Sequence, residues 1–150
     1  MYAFTVLDAT TYNINVVDPW GDISLNGYSD FVTMKSKNPN LKVMISLGGW
    51  NDSNDGTGKY SKLVASSTNI AAFVNYAMAF LAKYSFDGLD IDWENPSTAV
   101  DKAGYSNLIT ALRTAFNTKG YLLSAAVSCN PTAIDAGIIG VIYSAIQIML

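Results

Sequence analysis

Residues 87–94, with the sequence DGLDIDWE, constrain the fold of this chain more than any other segment. Acidic side chains occupy alternate positions at Asp90, Asp92 and Glu94, and apolar residues separate them. Because successive side chains of a β-strand point to opposite faces, this pattern predicts a strand with three carboxylates on one face. The flanking pattern is helix–strand–helix, so we expect both faces to be covered. A covered row of acids is costly unless the charges serve a function.

The spacing of the acids indicates coupled proton chemistry. Carboxylates two residues apart on a strand cannot all ionise independently near neutral pH. Glu94 lies at the C-terminal end of the predicted strand, where parallel α/β sheets and barrels carry their active sites. Beside an ionised Asp92, Glu94 could keep its proton and act as a general acid, while the deeper Asp90 adjusts Asp92. A structural charge network or a divalent metal site is the alternative interpretation.

Strand and helix patterns alternate along the rest of the chain. Strands are predicted over 2–8, 41–47, 87–94, 121–128 and 143–149, and helices over 28–37, 68–84 and 103–118. Residues 51–59 have the composition of a polar loop. Such alternation predicts βα units and a parallel sheet, which is the α/β class. The apolar stretch 136–150 is shorter than the ~20 residues of a membrane-spanning helix, and a buried strand is favoured there.

Composition excludes several functional classes. The 150 residues include 12 Asp and Glu against 9 Lys and Arg, for a net charge of −3. Because no basic cluster could follow a phosphate backbone, we expect no nucleic-acid partner. The chain contains no histidine, which excludes His-based triads and His metal sites. Its single cysteine, Cys129, cannot form an intrachain disulfide. We therefore predict no metal, no cofactor and no membrane partner.

Two segments of the chain, residues 87–94 and 41–50, resemble a known family. The pattern D-x-x-D-x-D-x-E of residues 87–94 is similar to the signature of family-18 glycoside hydrolases, the chitinase family. Residues 41–50, LKVMISLGGW, resemble the S-x-G-G-W strand of the same family. Weaker similarities occur at 2–4, 123–127 and 146–149. The five blocks follow the family's order and span nearly the whole chain.

This resemblance implies a TIM (β/α)8 barrel, present here only as a partial barrel. Residues 1–150 would form part of one family-18 catalytic domain, from roughly the second to the sixth barrel strand. Complete barrels typically need ~250 residues. We therefore expect the chain alone to have little or no activity. The N-terminus shows no signal-peptide pattern, although the resemblance implies that the parent protein is secreted.

The resemblance also implies a mechanism in which the substrate takes part. Family 18 departs from the usual two-carboxylate scheme of glycosidases. The 2-acetamido group of an N-acetylglucosamine unit would attack the anomeric carbon, Glu94 would protonate the leaving oxygen, and Asp92 would hold the acetamido nitrogen. Asp90 would adjust the proton affinity of Asp92. The implied substrate is chitin or a chito-oligosaccharide, and the implied outcome is retention of configuration.

Further residues match the family individually. Phe4, Gly49, Trp50 and Met149 correspond to positions near the sugar, where flat aromatic faces suit a pyranose ring. Ordinary core packing is the alternative for Phe4 and Trp50. At the position after Glu94, where family members often have tyrosine, this chain has Asn95, so we expect its contacts on the leaving-group side of the substrate to differ.

A second functional class is a non-catalytic carbohydrate-binding relative. Such relatives usually lack the catalytic glutamate, which this chain keeps.

Overall fold

The computed structural model describes residues 1–94 and 96–127. The strands in these ranges are β1 (Tyr2–Leu7), β2 (Ile14–Val16), β3 (Met44–Gly48), β4 (Gly88–Asp92) and β5 (Leu122–Ala125). The α-helices are α1 (Gly27–Thr33), α2 (Trp50–Ser53), α3 (Lys59–Val64), α4 (Ser67–Tyr84) and α5 (Ala99–Asn117). A π-helical turn spans Pro19–Ser24, and a 3₁₀ turn spans Met34–Ser36.

The strands form one sheet in the order β2-β1-β3-β4-β5. Strands β1, β3, β4 and β5 run parallel, and β2 pairs antiparallel with β1 at the edge. Each parallel neighbour is reached through helical segments, as βα units require. The predicted α/β class is confirmed. The strand predicted over 143–149 lies outside the described residues.

The apolar faces of the strands pack against the long helices. Ile45, Leu47, Leu89 and Ile91 are buried in one cluster with side chains of α4 and α5, such as Phe73, Ala77, Leu108 and Leu112. Each fully buried Leu, Ile or Phe contributes about 1.5–3 kcal/mol to folding. Because strand residues alternate, the opposite face of β3, β4 and β5 carries the residues between these. The polar side chains on that face are Ser46, Asp90, Asp92 and Ser124.

The two long helices follow their predicted patterns, and they differ from the prediction mainly at their N-terminal ends. Helix α4 begins one residue before the predicted start, and the Ser66 hydroxyl accepts the Asn69 N–H at 3.3 Å as its cap. Helix α5 begins four residues before the predicted start. There the Asp101 carboxylate accepts the Thr98 N–H, and the Thr98 hydroxyl accepts the Asp101 N–H. This reciprocal cap is encoded in the sequence as Thr-x-x-Asp, which is the signal that places the true start of the helix.

Two short segments differ from what the sequence predicts. Residues 51–59 are not a continuous loop, because Trp50–Ser53 forms one helical turn and α3 begins at Lys59. Strand β2 was not predicted at all. Both elements are too short for a periodic pattern, so contacts outside the segment decide them. In β2 these are the ladder bonds to β1, across a turn in which Asp8 accepts the N–H groups of Thr10 and Thr11.

Candidate active site

The deepest acid of the predicted row lies between two serines. The register aligns Ser46 of β3, Asp90 of β4 and Ser124 of β5. The Ser46 hydroxyl donates to one oxygen of Asp90 at 2.7 Å, and the Ser124 hydroxyl donates to the other at 2.6 Å. Asp90 is buried. Hydroxyl donors on both oxygens stabilise a carboxylate while leaving its charge in place for the neighbouring acids.

Asp92 and Glu94 continue the row toward the end of the strand. The strand itself ends at Asp92, so Glu94 lies two residues beyond β4 and not inside it as predicted. Burial raises the pKa of Asp92 above its usual value, and the negative charges of Glu94 and Asp90 raise it further. The prediction that these acids are electrostatically coupled is therefore supported at Asp92. Within residues 1–94 and 96–127, none of the three acids forms an ion pair with a cationic side chain.

Trp93 lies on the other side of the segment, in the core. Its ring stacks on Tyr60 with the centroids 5.5 Å apart and meets Tyr105 edge-on at 5.4 Å. The side chain is almost fully buried. The alternation predicted from sequence is thus present, with carboxylates on one side and apolar packing on the other. Packing of Trp93 helps to hold the backbone on which both Asp92 and Glu94 sit.

The two glycines at the end of β3 have different structural tasks. Gly48 has φ +117°, and a Cβ there would collide with the carbonyl oxygen of Asp92. Gly49 has φ +83°, and a Cβ there would meet the ring of Phe4 at 3.3 Å. Both positions need glycine because their φ values are unfavourable for other residues. Gly48 therefore permits the close approach of the β4 backbone, and Gly49 leaves room for an aromatic ring.

Phe4 and Trp50 are exposed aromatic residues next to Gly49, just beyond the C-terminal end of β3. Phe4 is 41% exposed and Trp50 is 62% exposed in this chain. The Gly49 N–H donates to the Asp92 carbonyl at 2.9 Å, so the residue between the two aromatics is attached directly to the acid strand. This end of the sheet thus combines carboxylates with flat apolar surfaces. Met149, the fourth predicted binding residue, lies outside the described residues.

The first acid of the pattern is separated from the others. Asp87 precedes β4, and both of its oxygens lie 3.2 Å from the Lys35 ammonium. One oxygen also accepts the Val43 N–H at 2.7 Å. This carboxylate is neutralised and joins the N-terminal ends of two strands. Its role is structural, although it belongs to the same sequence pattern as Glu94.

A buried ionic cluster beside the acids was not predicted from the sequence. The Asp52 carboxylate accepts the Leu7 N–H at 3.2 Å, the Tyr60 hydroxyl at 2.6 Å and the Lys59 ammonium, and both Asp52 and Lys59 are buried. The Lys59 ammonium also pairs with Asp55 at 2.8 Å. The pKa of Lys59 is raised overall: burial lowers it, and hydrogen bonds to the two carboxylates more than compensate. An acid and a lysine seven residues apart in a polar segment give no periodic signal that would reveal this pair.

Metal sites and membrane spans are both absent from the described part of the chain. No group of three or more acidic or cysteine side chains in residues 1–94 and 96–127 is arranged to hold a metal ion. In the same ranges, no helix has the length and apolarity needed to cross a bilayer.

A parallel α/β sheet with an acidic site at the carboxyl ends of its strands is typical of the barrel enzymes. The family model for "Glycosyl hydrolases family 18" matches residues 1–149 of this chain. The chain therefore belongs to glycosyl hydrolase family 18, as the sequence patterns predicted.

Individual relatives agree with this assignment. Probable chitinase 10 of Drosophila melanogaster is 39% identical over 146 residues, which is 91% of this chain and 6% of the relative. Catalytic domain 2 of the Ostrinia furnacalis Group II chitinase superposes with a TM-score of 0.90 at 39% identity, covering 97% of this chain and 39% of that one. A mutant of that domain has been solved in complex with penta-N-acetylchitooctaose.

A lectin shares the same architecture. The chitinase-like agglutinin of Robinia pseudoacacia superposes with a TM-score of 0.83 at 25% identity, covering 96% of this chain and 44% of the agglutinin. Together the matches identify the sheet as a partial TIM barrel. The chain spans less than half the length of each of these relatives.

Proposed function

We propose that the protein containing this chain hydrolyses β-1,4-linked N-acetylglucosamine polymers, such as chitin, with retention of configuration. The observation that carries this proposal is the row of three carboxyl groups, Asp90, Asp92 and Glu94, which runs to the C-terminal end of β4 and just beyond it. In the described residues these acids are not neutralised by a cation, unlike Asp87. The chitinases among its relatives support the substrate class.

In the first step the substrate supplies the nucleophile. The carbonyl oxygen of the 2-acetamido group bonds to the anomeric carbon, and the bond from that carbon to the glycosidic oxygen breaks. Glu94 gives its proton to the leaving oxygen. The product of this step is a positively charged oxazolinium ring, which the negative charge of Asp92 stabilises through the acetamido nitrogen. The raised pKa of Asp92 supports a proton shared along the row before the substrate binds.

In the second step water restores the original configuration. A water molecule attacks the anomeric carbon, Glu94 takes one of its protons, and the bond to the acetamido oxygen breaks. Two displacements at one carbon give net retention. Asp90 acts through Asp92: its charge, held by Ser46 and Ser124, makes a proton on Asp92 more favourable. The cycle needs no cofactor and no metal.

Substrate contacts are proposed for Phe4, Gly49, Trp50 and Met149. The exposed rings of Phe4 and Trp50 offer flat apolar surfaces to the pyranose rings, and Gly49 lets the Phe4 ring pack against its backbone. Because chitin is an external polymer, we further propose that the parent protein acts outside the cell. The isolated 150-residue chain is proposed to have little activity, since it spans only part of a family-18 barrel.

A second candidate is a carbohydrate-binding protein without turnover. The likeness to an agglutinin favours this alternative, because the same fold can bind without catalysing. The retained Glu94 favours the hydrolase.

The deciding experiment measures hydrolysis of a fluorogenic N,N′-diacetylchitobioside by the complete catalytic domain and by its Glu94→Gln variant. We expect kcat to fall by roughly a thousandfold in the variant, because general acid catalysis typically contributes ~10²–10⁴-fold. The matched control is Asp87→Asn, which removes an acid of the same sequence pattern at the other end of β4 and should leave turnover intact.

Each outcome distinguishes the candidates. Turnover that is lost in Glu94→Gln and kept in Asp87→Asn supports the hydrolase. An inactive wild type that still binds chitin beads in a pull-down favours the binding protein. Equal activity in the wild type and Glu94→Gln would show that another group is the acid.

A further inference from the structure

Glu94 lies just beyond the point where the sheet can hold its backbone. The parallel ladder between β3 and β4 has Gly48 opposite Asp92, and its last bond runs from the Gly49 N–H to the Asp92 carbonyl. The next step of a parallel ladder would bring the Glu94 N–H to the Gly49 carbonyl. That carbonyl is already used, because it accepts the Ser53 N–H at 3.0 Å as the first bond of α2.

The Ser53 side chain takes the place of the Gly49 carbonyl as the acceptor for the Glu94 N–H. Its hydroxyl oxygen accepts the Glu94 N–H at 3.0 Å, and the same hydroxyl donates to the Asp92 carbonyl at 3.3 Å. One hydroxyl therefore bridges the backbone groups of the two residues that carry the proposed chemistry. A hydroxyl can do this because it donates one hydrogen bond and accepts others.

Ser53 is itself held in place by the buried ionic cluster. Helix α2 is a single turn without a side-chain cap, so it has little stability of its own. Its third residue, Asp52, is anchored to the end of β1 through the Leu7 N–H and to α3 through Lys59 and Tyr60. This anchor fixes the turn, and the turn directs the next residue, Ser53, toward β4.

We propose that Ser53 is a positioning residue for Glu94 and Asp92, which extends the sheet by one hydrogen-bonded step at the point where the chemistry requires a fixed backbone. The inference rests on the proposed hydrolase function, since it assigns Ser53 a task in that reaction. Ser53 touches the main chain of the two acids and not the substrate. Its effect falls on the orientation of the Glu94 carboxyl relative to the glycosidic oxygen.

The test compares kcat and KM for Ser53→Ala, Ser53→Thr and wild type in the complete catalytic domain, with N,N′-diacetylchitobioside as substrate. We expect Ser53→Ala to lower kcat roughly tenfold with little change in KM, because misplaced catalytic groups lower the rate of the chemical step. Ser53→Thr keeps the hydroxyl and should restore most of kcat. Ser106→Ala is the matched control, since it removes a half-buried serine hydroxyl whose one hydrogen bond among the described residues goes to the Lys102 carbonyl of its own helix, away from the acids.

A second measurement is independent of turnover. Hydrogen exchange at the Glu94 amide, followed by mass spectrometry of peptides that contain it, should be faster in Ser53→Ala than in wild type and unchanged in Ser106→Ala. Unchanged exchange, or a kcat of Ser53→Ala equal to that of the control, overturns the positioning role. A wild type without turnover overturns the proposed function, and the exchange rates then still decide whether Ser53 holds Glu94.

Discussion

The two ends of β4 use the same residue type for opposite purposes. At the N-terminal end, Asp87 meets the Lys35 ammonium and the Val43 N–H, so its charge is neutralised. Toward the C-terminal end, the row of acids begins at Asp90 in the middle of the strand, which meets only serine hydroxyls among its hydrogen-bond partners in the described residues. Both carboxylates accept hydrogen bonds, but only one is paired with a cation. The negative charge that is useful for chemistry is thus kept at the end of the sheet where barrel enzymes react.

The pKa values follow this difference in surroundings. Asp92 has its pKa raised by burial and by the two acids beside it, which no lysine offsets within the described chain. Holding unpaired acids together costs stability, and such a cost is typical of functional sites. One end of the strand therefore favours the folded state, and the unpaired acids toward the other end lower the stability of the fold. Substitutions at the two ends should separate activity from stability.

The largest effect in this comparison is expected from Asp90→Asn. An amide keeps the size of the side chain but removes the charge that acts on Asp92. It also presents an NH2 group where Ser46 or Ser124 now donates. We expect kcat to fall by roughly a hundredfold, since loss of a preorganised electrostatic group typically costs ~10²–10³-fold. Steady-state kinetics on N,N′-diacetylchitobioside measures this, with circular dichroism to establish that the fold is retained. Full activity would mean that Asp90 only fills space.

Asp87→Asn should show the opposite behaviour. The substitution removes the ion pair with Lys35 and weakens the hydrogen bond from Val43, so the free energy of unfolding should fall by about 1–2 kcal/mol. The value of kcat at a temperature well below the unfolding transition should not change. Urea unfolding measures the first effect, and the same kinetic assay measures the second. Lys35→Met should cost no more than Asp87→Asn, and the double variant should show non-additivity. A loss of kcat in the folded Asp87→Asn variant would remove the distinction between the two ends.

The smallest effect is expected from Asp92→Asn on stability, and its sign is the informative part. Because the pKa of Asp92 is raised above 3.8 in the folded protein, the folded state binds this proton more tightly than the unfolded state. At pH values above its raised pKa, ionised Asp92 therefore destabilises the folded state. Asp92→Asn should raise the thermal midpoint at pH 7 while it lowers turnover, and the gain should shrink as the pH falls through the raised pKa of Asp92 toward 3.8, below which it should be absent. A lower midpoint for the variant at pH 7 would contradict a raised pKa.

Much of the fold was readable from the sequence. The amphipathic pattern located α4 to within one residue, and alternation located β4 and assigned Trp93 to the core. The patterns at residues 41–50 and 87–94 predicted the family. The roles of the individual acids and of the sugar-contacting residues stay predictions. The sequence patterns did not predict short elements such as β2 and α2, because these contain too few residues to show a period.

By itself, the sequence determined the α/β class, the faces of the long elements and the row of acids, because these depend on the local alternation of side chains. Tertiary structure alone decided that Asp87 is neutralised while Asp90 is not, and that Ser53 meets Glu94. The partners involved, Lys35, Ser46 and Ser53, lie more than thirty residues away along the chain. Their distance from the acids is set by strand order and register, which no local pattern encodes.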